Sequence, residues 1–257
     1  MTEVVPRVLV VAGHDSSGGA GIGVDREALE QVEVEGAFVV SAWTKQDDFG
    51  VHDLGAVDPA TWLAEARQHL GSGLGAVKLG LLPGTPAVLA ARELAAEIDG
   101  AVPIVLDPVL GSSSGGRFHD EASLDALRDE LLPAGLWWTP NVPELAELTG
   151  ANPRRLADVP RSRLDAAQSL IEAGATGVVV KGGHGGENPV QDLVLQADAA
   201  PTWVEHPRIA DAVLRGSGCR FASAMAAQMA RGTSPVDAVG RVGIWITRLL
   251  LQSLGQR

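Results

Sequence analysis

The chain has 257 residues, of which 46% are hydrophobic and 20% are charged, and its formal net charge at pH 7 is −12. This composition excludes a disordered chain, and the negative charge argues against a nucleic-acid partner held by phosphate contacts. The single cysteine excludes an internal disulfide framework, and the apolar runs are too short for a signal peptide or a membrane span. We therefore expect one domain over residues 1–257 in a cytoplasmic protein, without membrane partners.

Short apolar runs alternate with helical patterns along the chain, which predicts an α/β fold with a mostly parallel sheet covered by helices on both faces. The predicted strands are residues 7–12, 38–44, 76–79, 103–106, 136–139 and 177–181. The helices predicted between them are residues 24–34, 59–70, 86–98, 122–132 and 161–173. Residues 190–195 and 202–204 have no helix between them and predict an antiparallel edge, before two final helices at 219–230 and 235–251. Residues 111–116 predict a mobile loop.

In such folds ligands bind at the carboxyl ends of the strands. The first of these ends carries residues 13–21, Gly-His-Asp-Ser-Ser-Gly-Gly-Ala-Gly. This run lacks the dinucleotide spacing, and the chain has no Walker lysine with its Ser/Thr, so the run predicts only close approach of the backbone to a small ligand. Asp25 follows it, either beside that ligand or as a solvated acid in the first turn of a helix.

Acidic and basic side chains mark three later strand ends. Asp107 follows the fourth strand, Asn141 and Glu144 follow the fifth, and Lys181 begins a glycine turn after the sixth. Glu144 either belongs to a helix cap that starts at Asn141 or joins Asp107 in orienting magnesium-bound water beside a nucleotide phosphate; the two acids together favour magnesium. Lys181 either faces that phosphate or simply ends a strand.

The only cysteine, Cys219, ends a turn of small residues that opens a predicted helix. Gly216, Ser217 and Gly218 precede it, and backbone N–H groups at such a helix start predict a site for an anion such as phosphate. We expect the helix dipole, Arg215 and Arg220 to favour the thiolate of Cys219. The alternative is a buried and inert cysteine in a capping turn.

Six segments, taken in order, resemble the hydroxymethylpyrimidine/phosphomethylpyrimidine kinases of thiamine biosynthesis. They are residues 12–22, 78–82, 107–109, 139–144, 180–184 and 216–219, and they extend over nearly the whole chain. The resemblance implies the ribokinase-like three-layer α/β/α fold in a family that is usually dimeric. It also implies ATP and Mg²⁺ as cofactors, with transfer of the γ-phosphoryl group to a pyrimidine hydroxymethyl and then to its monophosphate.

The resemblance further implies which residues form the site. Cys219 would accept the substrate proton, and the turn before it would stabilise the transferring phosphoryl group. Gln46 would read the aminopyrimidine edge, because a primary amide both donates and accepts hydrogen bonds. The implied catalytic residues are Gly216, Ser217, Gly218 and Cys219; the substrate residues are Gly13, Asp25, Gln46 and Leu81; the ATP residues are Asn141, Lys181 and Gly183; the metal residues are Asp107 and Glu144.

Two other functions stay open at this point. One is a pyridoxal or pyridoxine kinase on the same fold, although cysteine in place of the aspartate base favours the pyrimidine. The other is a member of the family that binds a pyrimidine-like ligand with weak or no phosphoryl transfer. Arg220 motivates the second, because it replaces a small hydroxyl residue and its bulk is expected where a phosphate oxygen would sit.

Overall fold

The computed structural model describes residues 5–47, 50–111 and 116–255, and within them one sheet runs through the molecule. Its strands are β1 (Arg7–Asp15), β2 (Glu35–Asp47), β3 (Gly50–Ala56), β4 (Leu74–Leu79), β5 (Ile104–Leu106), β6 (Trp137–Trp138), β7 (Gly177–Val180), β8 (Val190–Gln196) and β9 (Thr202–His206). Their order is β3-β2-β1-β4-β5-β6-β7-β8-β9. The six strands from β2 to β7 in this order are parallel, and β3, β8 and β9 are antiparallel to their neighbours.

Helices connect the parallel strands, as the alternating pattern predicts. They are α1 (Ile22–Val32), α2 (Pro59–Arg67), α3 (Gly84–Ile98), α4 (Glu121–Ala126), α5 (Val142–Thr149), α6 (Pro153–Asp158), α7 (Ser162–Glu172), α8 (Ser217–Ala230) and α9 (Pro235–Leu254). A π-helical turn, Leu127–Leu131, continues α4. The boundaries of the predicted helices differ from the observed ones by a few residues. The predicted ranges include neither α5 nor α6.

Two hydrophobic cores lie on opposite faces of the sheet. Leu9 and Val11 of β1 point into a core built with α2 to α7. Val8 and Val10, the alternate residues of the same strand, point into a second core built with α1, α8 and α9. Side chains of a strand alternate between faces, so β1 is buried on both. The predicted three-layer α/β/α arrangement is confirmed.

The sheet has a second antiparallel edge that the sequence pattern did not predict. The pattern predicts a strand over 38–44, whereas β2 extends to Asp47 and pairs with β3. β3 reads Gly-Val-His-Asp-Leu-Gly-Ala, which lacks the apolar run of a buried strand. An edge strand needs no such run, because solvent covers one side of it. The predicted mobile loop at 111–116 has its central residues, 112–115, outside the described ones.

The topology brings the predicted motifs to one edge of the sheet. Because β1, β5, β6 and β7 are parallel, the segments that follow them all emerge from the same side. Asp107 follows β5, and Lys181 follows β7, where its N–H bonds to the Pro140 carbonyl at 2.9 Å. Within the described residues, no helix is both long enough and apolar enough to cross a bilayer.

Candidate active site

A small pocket opens at the carboxyl ends of β1 and β4, and it holds about 350 Å³ of atom-free space including its mouth. The pocket joins four residues that the sequence placed at the site from separate segments, namely Gly13, Gln46, Leu81 and Cys219. Asp15, Ala20 and Gly21 also line it, from the run 13–21 that was predicted to approach a small ligand. The remaining lining residues, which were not predicted for the site, are Ala12, Thr44, Lys78, Val109 and Phe118.

Gly13 packs closely against the Leu81 side chain in the pocket wall. A Cβ on Gly13 would lie 3.1 Å from a methyl carbon of Leu81, so a larger residue would push that side chain into the space left for a ligand. Both residues were predicted on the substrate side. The structure shows a packing reason for glycine here that is independent of any ligand.

Asp25 is fully buried, so the solvated alternative for this residue is wrong. Its carboxylate accepts hydrogen bonds from Lys78 at 2.9 Å and from Ser223 at 2.7 Å. Burial raises the pKa of Asp25, while Lys78 and Ser223 act in the opposite direction. Asp25 does not line the pocket itself; the Lys78 side chain does.

Lys78 lies in the buried strand β4 and lines the pocket, although the sequence did not predict it as a site residue. A lysine inside a buried strand needs a charged partner, and this one has an exposed fraction of 0% and pairs with Asp25 across 53 positions of the chain. Burial alone lowers the pKa of Lys78, but Asp25, Cys219 and Asp107 together raise it above its ordinary value. Lys78 therefore stays protonated at neutral pH beside the pocket.

The predicted anion turn has the geometry of a helix start. Gly216 caps α8 in the left-handed conformation, with φ of 67°, and a Cβ there would lie 2.5 Å from the carbonyl oxygen of Gly19. Both constraints require glycine. The Arg220 N–H bonds back to Gly216, and the N–H groups of Gly218 and Cys219 precede any intrahelical partner. These two donors are available to an anion.

The expected thiolate at Cys219 is wrong for the ligand-free protein. Cys219 is partly exposed as a residue, yet burial of its thiol raises the pKa to about 12, against the lowering effects of Lys78 and of the Gly21 N–H. Asp107 and Asp25 raise it further. The two arginines invoked for the thiolate do not contribute, since each is paired with an acid elsewhere.

Alkylation of Cys219 tests this correction directly. At pH 8 we expect iodoacetamide to modify the native protein at least about a hundredfold more slowly than it modifies glutathione, because the thiolate fraction is small. Since the chain has one cysteine, mass spectrometry reports this site alone. Protein unfolded in urea serves as the control and should react at the ordinary rate. A native rate that matches glutathione would contradict the raised pKa.

Arg215 and Arg220 hold the turn to its neighbours. Arg215 lies 3.4 Å from the Asp15 carboxylate, and Arg220 bonds to Glu27 of α1 at 2.7 Å and to the Arg215 carbonyl at 2.6 Å. The expectation that Arg220 occupies a phosphate position is therefore wrong, because its guanidinium is bound to α1. Arg220 therefore gives no reason to expect weaker anion binding at the turn.

Lys181 connects the two predicted metal residues. Its ammonium lies 2.8 Å from Asp107 and 3.9 Å from Glu144. Burial alone lowers the pKa of Lys181, but the two carboxylates raise it above its ordinary value. A Cβ on Gly218 would lie 3.1 Å from the Lys181 ammonium, so the anion turn and this charge cluster face each other.

The cap interpretation of Glu144 is confirmed, and its role in holding magnesium stays a prediction. Asn141 caps α5 by accepting the Glu144 N–H at 2.9 Å, and the Glu144 carboxylate accepts the Asn141 N–H at 2.7 Å. Pro143 occupies the second helical position. Burial raises the pKa of Glu144 to about 7, with a further rise from Asp107 and a lowering by Lys181. The carboxylate thus serves the cap and still belongs to the charge cluster.

Gly183 lies in a short turn after β7, and its Cα faces open space: a Cβ there would meet no atom within 4 Å. Burial lowers the pKa of the neighbouring His184, and the charges of Lys181 and Arg208 lower it further. This turn is open to a ligand on one side. The structure brings Lys181, Asn141 and Gly183 to the same strand ends, and none of these three residues lines the pocket.

Comparison with known proteins identifies the family. The family described as phosphomethylpyrimidine kinase matches residues 15–256. A hydroxymethylpyrimidine/phosphomethylpyrimidine kinase of Bacillus subtilis is 35% identical, with 97% of this chain and 90% of that protein covered. The thiamine biosynthesis bifunctional protein ThiED of Geobacter sulfurreducens is 34% identical over 97% of this chain and 50% of that protein.

A solved structure agrees with the fold. The ADP complex of Bacillus subtilis pyridoxal kinase has a TM-score of 0.83 at 25% identity, and the match covers 95% of this chain and 91% of that one. The predicted fold is confirmed by this similarity, and the suspected family by the matches above. The chain belongs to the phosphomethylpyrimidine kinase family and is a phosphotransferase.

Proposed function

We propose that this protein is an ATP-dependent kinase that phosphorylates 4-amino-5-hydroxymethyl-2-methylpyrimidine and its monophosphate for thiamine biosynthesis. The observation that carries the proposal is the pocket that joins Gln46, Gly13 and Leu81 to Cys219, the last residue of the anion turn. A ring-sized ligand held there lies directly beside the N–H donors that can bind a phosphoryl group. Besides apolar carbons, the lining residues include the polar residues Gln46, Thr44, Asp15 and Lys78, which suits a small polar ring.

On the substrate side, Gln46 is the residue with the right hydrogen bonds for an aminopyrimidine. Its amide donates to a ring nitrogen and accepts from the exocyclic amine. Val109 and Phe118 provide apolar surface against a ring face. Lys78 supplies the positive charge that a monophosphate substrate needs, because its ammonium is already stabilised by Asp25.

On the nucleotide side, the anion turn and Lys181 face one another. The Lys181 ammonium lies close to Gly218 of the anion turn, so we propose that it and the N–H groups of the turn together meet the charge that develops on the transferring phosphoryl group. Gly183 and Asn141 are proposed to lie along the rest of the nucleotide. The resting contact between Lys181 and Asp107 holds the ammonium in place before the nucleotide arrives.

The residues present fit Mg²⁺ held largely through water. Asp107 and Glu144 bring two hard carboxylates together around Lys181, and the described part of the chain has no group of three potential ligands. Magnesium commonly binds through one or two carboxylates plus phosphate oxygens and waters. When bound, it neutralises charge on the phosphate oxygens. We propose Asp107 and Glu144 as the residues that hold it.

Phosphoryl transfer places the γ-phosphoryl on the hydroxymethyl oxygen, releases ADP and sets free one proton. We propose that Cys219 accepts this proton. Because the thiol has a raised pKa, its thiolate is a minor species at neutral pH but a strong base. Positioning and electrostatic stabilisation carry most of the catalysis in a loose transition state, so a scarce base is sufficient.

We also propose that the protein works as a single-domain chain, as a homodimer and in the cytoplasm. The single sheet that runs through all described strands supports the first point. The family resemblance supports the second, and an acidic composition with one cysteine supports the third. Light scattering after gel filtration would test the dimer, and a monomeric mass would refute it.

The function is tested by coupled ADP release with three acceptors side by side: the pyrimidine alcohol, its monophosphate and pyridoxal. We expect turnover with both pyrimidines and a lower kcat/KM for pyridoxal. Preference for pyridoxal would favour the related vitamin kinase to which the fold is similar. Binding of the pyrimidine without turnover or nucleotide binding would instead favour a binding protein.

A further inference from the structure

The turn after β7, which we name the nucleotide loop (residues 181–187), is held from two sides by arginines outside the pocket wall. Its sequence, Lys-Gly-Gly-His-Gly-Gly-Glu, includes four glycines. None of the four has a positive φ among the described residues, so they do not serve backbone conformation. A glycine-rich segment loses much conformational freedom on ordering, and other contacts must hold it in place.

Arg208 forms the outer clamp. It lies in the segment between β9 and the anion turn, and its guanidinium donates to three carbonyls of the loop. The distances are 3.1 Å to Gly183, 2.8 Å to Gly185 and 2.8 Å to Glu187. The guanidinium donates from three separate nitrogens held in one plane, whereas the donors of an ammonium all leave a single nitrogen. Arg208 therefore ties the loop to the segment that leads to Gly216.

Arg163 of α7 forms the inner clamp. It is fully buried and makes a bidentate pair with Glu187, at 2.7 and 2.9 Å. It also donates to the Leu156 carbonyl at 2.8 Å, which satisfies its buried Nε. Burial alone would raise the pKa of Glu187, but its hydrogen bonds with Arg163 bring it below the ordinary value. The far end of the loop is thus fixed to the helical layer by a charged pair.

The two clamps leave one face of the loop open. A Cβ on Gly185 would overlap Glu187 and Arg163, and one on Gly182 would overlap the Gln191 carbonyl, so these two glycines face the protein. Gly183 and Gly186 meet nothing within 4 Å. Gly182 also donates its N–H to Asp192 at 2.7 Å. Gly182 and Gly185 thus pack against the protein, whereas the backbone of Gly183 is exposed beside Lys181.

We propose that Arg208, backed by the Arg163–Glu187 pair, is a positioning residue that presets the nucleotide loop for ATP. The proposal rests on the proposed function, in that it takes the ligand of this loop to be a nucleotide. Arg208 acts through the carbonyls that it holds, so its effect falls on nucleotide affinity and not on the pyrimidine pocket. The order of the loop before binding reduces the entropy lost on binding.

Calorimetry with ADP and with the pyrimidine alcohol tests the proposal on the full chain. For Arg208→Gln we expect ADP to bind about tenfold more weakly, with pyrimidine affinity unchanged. Arg208→Lys should be intermediate. Arg231→Gln is the matched control, because Arg231 also donates to a carbonyl, that of Val32 at 2.9 Å, at the far end of α8. Its ADP affinity should equal that of the wild type.

Hydrogen exchange in the ligand-free protein separates positioning from direct contact with the nucleotide. Amides of residues 182–187 should exchange faster in Arg208→Gln than in the wild type or in Arg231→Gln. Unchanged exchange, unchanged ADP affinity, or an equal loss for ADP and pyrimidine would each overturn the inference while leaving the proposed function intact. Failure of the wild type to bind ADP would overturn both.

Discussion

Lys78→Met is expected to destabilise the protein by about 3–5 kcal/mol, because it leaves the Asp25 carboxylate buried without its charged partner. Urea unfolding at pH 7 measures the loss. Lys45→Met is the control, because Lys45 is exposed on β2 and a surface substitution should change stability by no more than about 0.5 kcal/mol. A loss below about 1 kcal/mol for Lys78→Met would contradict the buried pair.

The double variant Lys78→Met/Asp25→Leu should recover most of this loss, since apolar replacement of a whole buried pair is often neutral. The stability lost in the single variant Lys78→Met should also depend on pH. Burial raises the pKa of Asp25, and without Lys78 nothing comparable opposes that rise. A carboxyl with a raised pKa in the folded state destabilises above its unfolded pKa, so the penalty should shrink as the pH falls from 8 towards 5.

Cys219→Ala is expected to lower kcat by about 10²–10⁴ with little change in KM, because it removes the proton acceptor and leaves the pocket and anion turn in place. In the wild type, the rate should rise with pH between 7 and 9, since the thiolate fraction grows towards a pKa of about 12. Steady-state kinetics across that range, with both variant and wild type, measures both effects.

Cys219→Ser is the companion variant for this prediction. Its hydroxyl keeps the size and hydrogen bonding of the side chain, but it ionises far less readily than a thiol, so it should restore packing without restoring the rate. A kcat that is unchanged in both variants would make Cys219 a wall residue only. A rise in KM equal to the loss in kcat/KM would assign it to substrate binding.

Residues on regular, buried strands made the fold predictable. The apolar runs of β1 and β7 and the helix patterns between strands predict a parallel sheet, because burial on both faces leaves a clear signal. β3 gave none, because an edge strand with one solvated side tolerates Gly, His and Asp. Its partner β2 was therefore predicted too short, and the second antiparallel edge was missed.

The residues of the pocket were predictable from the resemblance to a family, and not from residue type or spacing alone. Gln46, Gly13, Leu81 and Cys219 come from separate segments and meet in one pocket. Ion pairs between residues far apart in the sequence were not predictable. The pairs of Asp25 with Lys78 and of Arg220 with Glu27 span 53 and 193 positions, and each changed an interpretation. The charge state of Cys219 likewise depends on burial, which outweighs the helix dipole.

The most direct measurement is to follow the label from γ-³²P ATP with the pyrimidine alcohol as the only acceptor. The proposed function predicts that label appears first in the pyrimidine monophosphate and then in the diphosphate. As a matched pair, Lys181→Met should transfer little label, because it removes the ammonium that faces the anion turn, whereas Lys45→Met should transfer as the wild type does. Label found only in inorganic phosphate, or transferred only to pyridoxal, would contradict the proposed function.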